Sequence, residues 1–397
     1  MSYAVPGVQL GVAQAGIKKA EHDDLLIIAL SENTQTAAVF TQNAFCAAPV
    51  MVAKRHLELN RGQPRYLLIN TGNANAGTGA AGLADALSCC AALGALSETS
   101  DTTVLPFSTG VIGESLPVER IEEALPGALG ALKADQWEAA AAAILTTDTQ
   151  PKLRTRKVEI EGQHCVITGI AKGAGMICPD LATMLAFVAT DAVIAAPLLD
   201  DLLRSAVNRS FNRITVDGDT STNDAVTLSA TGESGITLER GSRATADFAE
   251  ALEAVTIDLA QDIVRDGEGA TKFVEICVVG GESEAACDQV ARTIAHSPLV
   301  KTALFASDPN WGRILAAIGR AGLKGLDTAA VSIEINGVLI AEQGARAASY
   351  TEEMGQRAMA EAELQLRVIL QRGGAETRLW TTDLSHDYVK INAEYRT

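Results

Sequence analysis

A glycine-rich segment runs directly into an apolar stretch at residues 172–188, and Thr183 lies at the junction of the two, in Lys-Gly-Ala-Gly-Met-Ile-Cys-Pro-Asp-Leu-Ala-Thr-Met-Leu-Ala-Phe-Val. This placement suits a threonine that cuts its own chain after Ala182 and then acts as an N-terminal nucleophile. Cleavage would give Thr183 a free α-amine beside its hydroxyl, and such a nucleophile carries its own base. The alternative is a buried threonine that opens an ordinary β-strand, since threonine is a common strand residue.

The length and charge of the chain narrow the classes of protein to which it can belong. Its 397 residues suffice for two or three units of roughly 100–200 residues each. The net charge of −17 argues against a nucleic-acid partner, whose phosphates require a basic face, and against an anionic membrane surface. A small anionic substrate is still compatible with this charge, because local lysines or arginines can reverse the field inside a pocket.

Targeting and metal-binding patterns are not found in the sequence. The N-terminus lacks the basic and apolar regions of a signal peptide, and no apolar run approaches the ~20 residues that span a bilayer. We therefore expect a cytoplasmic protein without a membrane partner. The seven cysteines form no C-x-x-C pair and the five histidines stand apart, so we expect free thiols and predict no metal.

The mixture of elements predicts a layered α+β fold, because strands and helices follow one another without strict βαβ alternation. The Asn336-Gly337 pair predicts a tight hairpin turn. Predicted strands cover two stretches within 24–40, then 66–70, 104–107, a hairpin over 158–170, 225–230, 272–279, 331–336, 338–341, 363–371 and 376–382. Predicted helices cover 80–93, 121–132, 135–145, 196–209, 248–266, 287–297 and 352–359.

Two motifs offer parts of an acyl-transfer site. Thr109 and Gly110 follow a predicted strand in Ser-Thr-Gly-Val-Ile-Gly, where backbone N–H groups and a hydroxyl could form an oxyanion hole; a plain glycine turn is the alternative. Lys172 could supply a cation to an anionic substrate, although a single loop lysine is usually only solvated.

Two further loops are polar. Glu268 lies on the turn Gly-Glu-Gly-Ala-Thr-Lys, which is too short for a phosphate loop and carries a carboxylate better suited to an ammonium group. The segment 217–224, Asp-Gly-Asp-Thr-Ser-Thr-Asn-Asp, lacks the glycine at the sixth position and the glutamate at the twelfth that a calcium loop requires. The segment could instead be a polar, turn-rich loop that faces a pocket.

In their order along the chain, these motifs resemble the ornithine acetyltransferase (glutamate N-acetyltransferase) family of arginine biosynthesis. The resemblance extends from residue 70 to the C-terminus. The matching segments are Asn70-Thr-Gly-Asn-Ala-Asn-Ala, Ser108-Thr-Gly-Val-Ile-Gly, Thr146-Thr-Asp-Thr-Gln-Pro-Lys, Lys172-Gly-Ala-Gly-Met-Ile, Leu181-Ala-Thr-Met-Leu-Ala, Gly218-Asp-Thr-Ser-Thr-Asn-Asp, Gly267-Glu-Gly-Ala-Thr-Lys, Ser307-Asp-Pro-Asn-Trp-Gly-Arg-Ile and Asp387-Tyr-Val-Lys-Ile-Asn-Ala-Glu-Tyr-Arg-Thr.

The resemblance implies a role for each matching residue. Thr183 is the expected nucleophile, released by cleavage after Ala182, and Thr109 with Gly110 is the expected oxyanion hole. The residues expected to contact substrate are Thr149, Lys172, Thr183, Glu268, Asn392 and Thr397. The implied fold is an α+β arrangement related to the N-terminal-nucleophile-like aminopeptidases, in which chains 1–182 and 183–397 intertwine. The terminal residues 391–397 are strand-like enough to dock near the site.

The function implied by the resemblance is transfer of the acetyl group of N2-acetylornithine to glutamate through acetyl-Thr183. No cofactor is expected. The partners expected are the two small substrates and the protein's own fragments, in a heterotetramer. Some members also use acetyl-CoA, and no motif decides whether this chain does. A self-cleaving aminopeptidase or amidase and a non-catalytic binding protein are the alternatives.

Overall fold

The computed structural model describes residues 3–18, 21–160, 162–178 and 184–394 and confirms the α+β class. The described strands are β1 (Val8–Ala13), β2 (Leu25–Leu30), β3 (Gln35–Phe40), β4 (Tyr66–Asn73), β5 (Val104–Val111), β6 (Lys152–Ile160), β7 (Gln163–Lys172), β8 (Leu185–Thr190), β9 (Val193–Ile194), β10 (Ile214–Thr215), β11 (Ala225–Ala230), β12 (Thr237–Leu238), β13 (Phe273–Gly281), β14 (Ser332–Ile335), β15 (Val338–Glu342), β16 (Ala345–Arg346), β17 (Glu363–Ile369) and β18 (Ala375–Thr382). The described helices are α1 (Ala48–Leu59), α2 (Gly79–Leu96), α3 (Val118–Gly130), α4 (Trp137–Ala143), α5 (Ala196–Arg209), α6 (Arg243–Arg265), α7 (Glu284–Ala295), α8 (Pro298–Phe305), α9 (Trp311–Gly319), α10 (Glu352–Met359) and α11 (His386–Ala393).

The chain divides into two compact units. Unit 1 comprises Met1–Asn212 with Asp219–Ile263, and unit 2 comprises Arg213–Gly218 with Val264–Thr397. The boundary between the units therefore lies well downstream of the predicted cleavage junction at residues 182 and 183. The predicted cleavage site therefore does not coincide with a boundary between compact units, and cleavage at this site remains a prediction.

Two sheets pack face to face in unit 1. One has the strand order β1-β2-β4-β5 and the other β3-β11-β8-β7-β6. Their facing side chains form one apolar core, in which the rings of Phe107 and Phe187 meet edge to face with centroids 5.0 Å apart. This contact joins β5, which carries the predicted oxyanion residues, to β8, which follows the predicted nucleophile.

Helices cover the outer faces of both sheets in unit 1. Helices α1, α2 and α3 pack on the first sheet through a second apolar core, while α6 contacts the second sheet, where Arg154 of β6 pairs with Asp262 at 2.7 Å. Among the described helices, α2 has the length and apolar composition to cross a membrane. Cys90 and Leu93 of α2 are nevertheless fully buried in this core, while Leu96 is exposed, so one face of the helix packs on the first sheet and the other lies at the surface of unit 1.

The second sheet combines strands from both sides of the predicted cleavage junction. β7 pairs with β8 antiparallel, and β8 pairs with β11 in parallel. Every residue of β8 is buried, as expected for a strand with a neighbour on each edge and a layer on each face. Chains 1–182 and 183–397 would therefore share a sheet and a core after a cut.

Unit 2 is built around a seven-stranded sheet with the order β10-β18-β13-β17-β14-β15-β16. Buried and exposed residues alternate along β17, which is the pattern of a strand with one face on a core. Helices α7, α8, α9 and α10 contribute to that core. The predicted hairpin is confirmed, because β14 and β15 pair around Asn336 and Gly337, both of which have positive φ angles.

The end of the chain differs from the sequence expectation. Residues 391–397 were expected to be strand-like, but the described ones continue α11 to Ala393; residues 395–397 lie outside the described part. Ser385 explains the helix, since its hydroxyl caps the first turn by accepting from the N–H of Tyr388 at 3.2 Å.

Candidate active site

The backbone at Thr109 and Gly110 is fixed by contact between two strands. β5 runs parallel to β4, with Thr109 opposite Thr71 and Gly110 opposite Gly72. Gly110 has φ +135°, and a Cβ there would lie 2.3 Å from the carbonyl carbon of Gly72. Only glycine fits this position, so the two residues predicted to form the oxyanion hole stand on a rigid part of the sheet.

Lys172 approaches Thr109 from the second sheet. It is the last residue of β7 and is 8% exposed, which excludes the alternative of a solvated loop lysine. Its Nζ donates to Thr109 Oγ1 at 3.1 Å. The structure therefore brings together two site residues that are 63 positions apart in the sequence.

A buried carboxylate that the sequence analysis did not select lies beside this pair. Asp148 accepts hydrogen bonds from Lys152 Nζ at 2.7 Å, from the N–H of Gly173 at 2.6 Å and from the N–H of Thr146 at 3.1 Å. Its Oδ2 lies 3.9 Å from Lys172 Nζ. Asp148 thus holds the start of the glycine-rich segment at Gly173.

The charge of Asp148 follows from these neighbours. Burial alone would raise its pKa, but Lys172, Lys152 and the hydrogen bonds lower it to about 2. The carboxylate is therefore ionised at neutral pH and compensates buried ammonium groups. Thr149, predicted to contact substrate, is the next residue and is exposed.

The polar loop of residues 219–224, here called the junction loop, contacts several parts of this site. Asn223 Nδ2 donates to the carbonyl oxygen of Ser108 at 2.9 Å, immediately before Thr109. Thr220 Oγ1 donates to the carbonyl oxygen of Cys178 at 2.9 Å. Asp224 is 2% exposed, and its carboxyl is hydrogen-bonded by the N–H of Met184 and by Ser221. The loop therefore contacts the backbone next to Thr109, and its role as a loop that faces a pocket stays a prediction.

Ala182 and Thr183 lie outside the described residues, which stop at Cys178 and resume at Met184. The apolar stretch that follows Thr183 forms a strand, since β8 begins at Leu185. Their roles as cleavage site and nucleophile remain predictions.

A second pair of predicted site residues lies in unit 2. Glu268, 9% exposed, accepts from Asn392 Nδ2 at 2.8 Å. The turn that carries Glu268 packs tightly on α11: Ser385 Oγ donates to the carbonyl oxygen of Gly269 at 2.6 Å, and a Cβ on Gly269 would lie 2.4 Å from Tyr388 N. Thr397, the last predicted contact, lies outside the described residues.

The sequence contained a signal for Asp148 that could have been used. Thr146–Lys152 matched as a motif, and within it an aspartate lies four residues before a lysine, close enough along the chain for the two to pair. No signal predicted that Gly173 and Lys172 would meet the same carboxylate. Within the described ranges, no group of three or more histidine, cysteine, aspartate or glutamate side chains is arranged to hold a metal ion.

Comparison with known proteins gives consistent matches. The ArgJ family profile matches residues 9–397. An arginine biosynthesis bifunctional protein ArgJ from Methylococcus capsulatus is 58% identical over 99% of this chain and 96% of its own length. That of Pseudomonas syringae is 54% identical over 100% of this chain and 97% of its own.

A solved structure agrees with these relatives. The crystal structure of the arginine biosynthesis bifunctional protein from Bacillus halodurans is 41% identical and superposes with a TM-score of 0.51. The match covers 53% of this chain but 99% of the solved chain.

Proposed function

This chain belongs to the ArgJ family, and from that premise we propose that it transfers the acetyl group of N2-acetylornithine to glutamate. Family membership confirms the prediction of an acetyltransferase of arginine biosynthesis.

One observation supports the chemistry most directly: Lys172 donates a hydrogen bond to the hydroxyl of Thr109. A hydroxyl has one hydrogen to donate and two lone pairs that accept. Because Lys172 occupies a lone pair, the hydrogen of Thr109 can point to a third group. An oxyanion in front of Thr109 would accept a hydrogen bond from the Thr109 hydroxyl, which is polarised by the ammonium group of Lys172.

The reaction then proceeds in two half-reactions on Thr183. The α-amine exposed by cleavage, with a reference pKa of roughly 7.7–8.0, takes the hydroxyl proton as Thr183 Oγ bonds to the acetyl carbon. The C–N bond of acetylornithine breaks, and ornithine leaves with that proton. The amine of glutamate then attacks acetyl-Thr183, the ester C–O bond breaks, and a proton returns to the threonine oxygen. Such a sequence gives ping-pong kinetics.

The proposed binding groups suit the two substrates. Both are α-amino acids that carry a carboxylate, for which Lys172 is a candidate partner. Ornithine ends in an ammonium group, for which the carboxylate of Glu268 is a candidate partner, with Asn392 holding that carboxylate in place. Thr149 and Thr397 complete the proposed contacts.

Two observations support cleavage between Ala182 and Thr183. Strands on both sides of this bond share a sheet, so a cut would leave the fold joined. The Bacillus halodurans chain is matched almost completely by about half of this one, as expected if the family's polypeptide is divided. We propose that two cut pairs assemble as a heterotetramer in the cytoplasm.

The relatives are called bifunctional, which supports a second activity. We propose that acetyl-CoA also serves as donor to glutamate, as a co-substrate without a bound cofactor. Incubating the enzyme with acetyl-CoA and glutamate, without acetylornithine, tests this: N-acetylglutamate is the expected product, and its absence would limit the enzyme to acetyl recycling.

An assay with acetyl-labelled acetylornithine tests the main function. The expected result is label in N-acetylglutamate at a rate that exceeds release of free acetate, and loss of both in Thr183→Ala. Acetate release independent of glutamate would instead indicate the amidase alternative. Transfer at the wild-type rate by Thr183→Ala would contradict the nucleophile assignment.

A further inference from the structure

The junction loop contacts both described flanks of the predicted cleavage segment. On one side Thr220 bonds to the carbonyl oxygen of Cys178. On the other, Asp224 bonds to the N–H of Met184, and the carbonyl oxygen of Met184 accepts from the N–H of Ala225 at 3.1 Å. Met184 is the residue bonded directly to Thr183 in the chain. The loop therefore holds the backbone at Cys178, which lies before the predicted cleavage bond, and at Met184, which directly follows Thr183.

Asp224 has a buried oxygen without a partner. One part of its carboxyl receives the Met184 N–H and the Ser221 hydroxyl, while Oδ2 is buried and has no hydrogen-bond partner in the structure as described. Buried polar atoms are nearly always paired, and an exception in a native protein calls for an explanation such as a catalytic role. Neither half-reaction of acetyl transfer uses this carboxyl.

We propose that Asp224 relays a proton during self-cleavage of the Ala182–Thr183 bond. This inference rests on the proposed function, because it takes Thr183 as the attacking residue. The proposal is based on the position of the Asp224 carboxyl, which is buried, has one unpaired oxygen and is hydrogen-bonded to the backbone N–H of Met184, the residue after Thr183.

The protonation state of Asp224 fits a relay. Burial raises its pKa well above the usual range, against the opposing effects of its two hydrogen bonds and of Lys172. Burial thus favours the protonated form of this carboxyl, which can give one proton and take another.

Self-cleavage would proceed through an ester between Ala182 and the hydroxyl of Thr183. Thr183 Oγ bonds to the carbonyl carbon of Ala182, and its proton passes to Asp224. Asp224 gives its own proton to the amide nitrogen as the C–N bond breaks, which leaves an ester and the free α-amine of Thr183. Water then adds to the ester carbon, the C–O bond breaks, one water proton returns to the threonine oxygen, and Ala182 leaves as a carboxylic acid.

The test follows cleavage of the full-length chain, translated in vitro and chased over time. Asp224→Asn retains the shape of the side chain but cannot relay a proton, and we expect cleavage on the order of 10²-fold slower. In Asp224→Ala, formate added to the buffer should restore cleavage, because it can occupy the vacated site and carry the proton. Protease resistance of the uncut chain reports folding.

Asp191 provides the matched control. It is a buried carboxyl whose pKa is also raised by burial, it is hydrogen-bonded to a backbone N–H, that of Val166, and it lies just beyond the far end of β8. Asp191→Asn should cut at the wild-type rate. Equal slowing in both asparagine variants would overturn the relay, as would wild-type cleavage in Asp224→Asn or failure of formate to restore Asp224→Ala.

The same experiment separates the two levels of the proposal. If Thr183→Ala stays uncut while Asp224→Asn cuts normally, only the relay fails. If Thr183→Ala is cut, the proposed nucleophile fails as well.

Discussion

The two pairs of hydrogen-bonded site residues are held in different ways: Thr109, Lys172 and Glu268 are buried, whereas Asn392 is exposed. Thr109 and Lys172 stand on strands of two facing sheets in unit 1, beside a carboxylate that is fully hydrogen-bonded. Glu268 and Asn392 in unit 2 are held by a glycine turn and an eight-residue helix near the end of the chain.

This difference suggests that the unit 1 pair stabilises the transition state and that the unit 2 pair recognises the substrate. Stabilising an oxyanion requires donors that are fixed before the charge develops, and strand positions provide that. Recognition of the substrate side chains instead requires groups that bind the substrate before and during the reaction alike. We therefore expect changes in the unit 1 pair to lower kcat and changes in the unit 2 pair to raise KM.

The largest effect is expected at Thr109. Thr109→Val removes the hydroxyl while keeping the shape, and loss of one oxyanion donor typically lowers kcat by about 10²–10³-fold. Thr109→Ser keeps the hydroxyl and should retain most of the activity. Steady-state kinetics measure both variants, and a valine variant that changed only KM would contradict this role of the unit 1 pair.

At Asn392 we expect the opposite kinetic pattern. Asn392→Ala removes a hydrogen bond to a carboxylate, worth about 1.5–3 kcal/mol, so KM for acetylornithine should rise roughly 10- to 100-fold with kcat nearly unchanged. Lys390→Ala, at an exposed position of the same helix, is the control and should leave both constants unchanged. A fall in kcat alone for Asn392→Ala would count against this view.

The pH dependence of the free energy of unfolding should show that Asp148 is ionised in the folded protein. Its pKa is lowered from 3.8 to about 2, so its contribution to stability is present above the unfolded pKa and is lost as pH falls toward 2. The shift corresponds to about 2 kcal/mol. In urea unfolding, the stability gap between wild type and Asp148→Asn should narrow by that amount from pH 5 to pH 2; a constant gap would exclude an ionised Asp148.

The smallest effect concerns the cap of α11. Ser385→Ala should cost about 1 kcal/mol of local stability and raise KM severalfold, because the helix that holds Asn392 would fray. Ser283 caps α7 in the same way but supports no site residue. Ser283→Ala should therefore cost similar stability without any change in KM, and equal KM values for the two variants would refute the link from cap to site.

Local signals in the sequence predicted much of the fold. Helix α10 begins and ends at the predicted residues, Glu352 and Met359, and Asn336-Gly337 defined its hairpin. The α+β class followed from the order of elements. Helix α11 was missed because residues 391–397 were expected to be strand-like, while the cap at Ser385 and the contact of Asn392 with Glu268 favour a helix.

The candidate site was less accessible from sequence. The resemblance identified Thr109, Lys172, Glu268 and Asn392, but not which of them meet. The pKa values of the buried carboxyls of Asp148 and Asp224 depend in part on Lys172, which is distant from both in the sequence. Lys172 lies 24 positions from the first and 52 from the second, and no local pattern records such contacts.

Intact mass measurement of the purified protein tests the central claim most directly. We expect two fragments, the second of which begins at Thr183 and gains one acetyl group on that residue when acetylornithine is added without glutamate. Subsequent addition of glutamate should remove the acetyl group. An uncut chain that transfers acetyl groups at full rate, or a fragment that never carries acetyl on Thr183 during turnover, would contradict it.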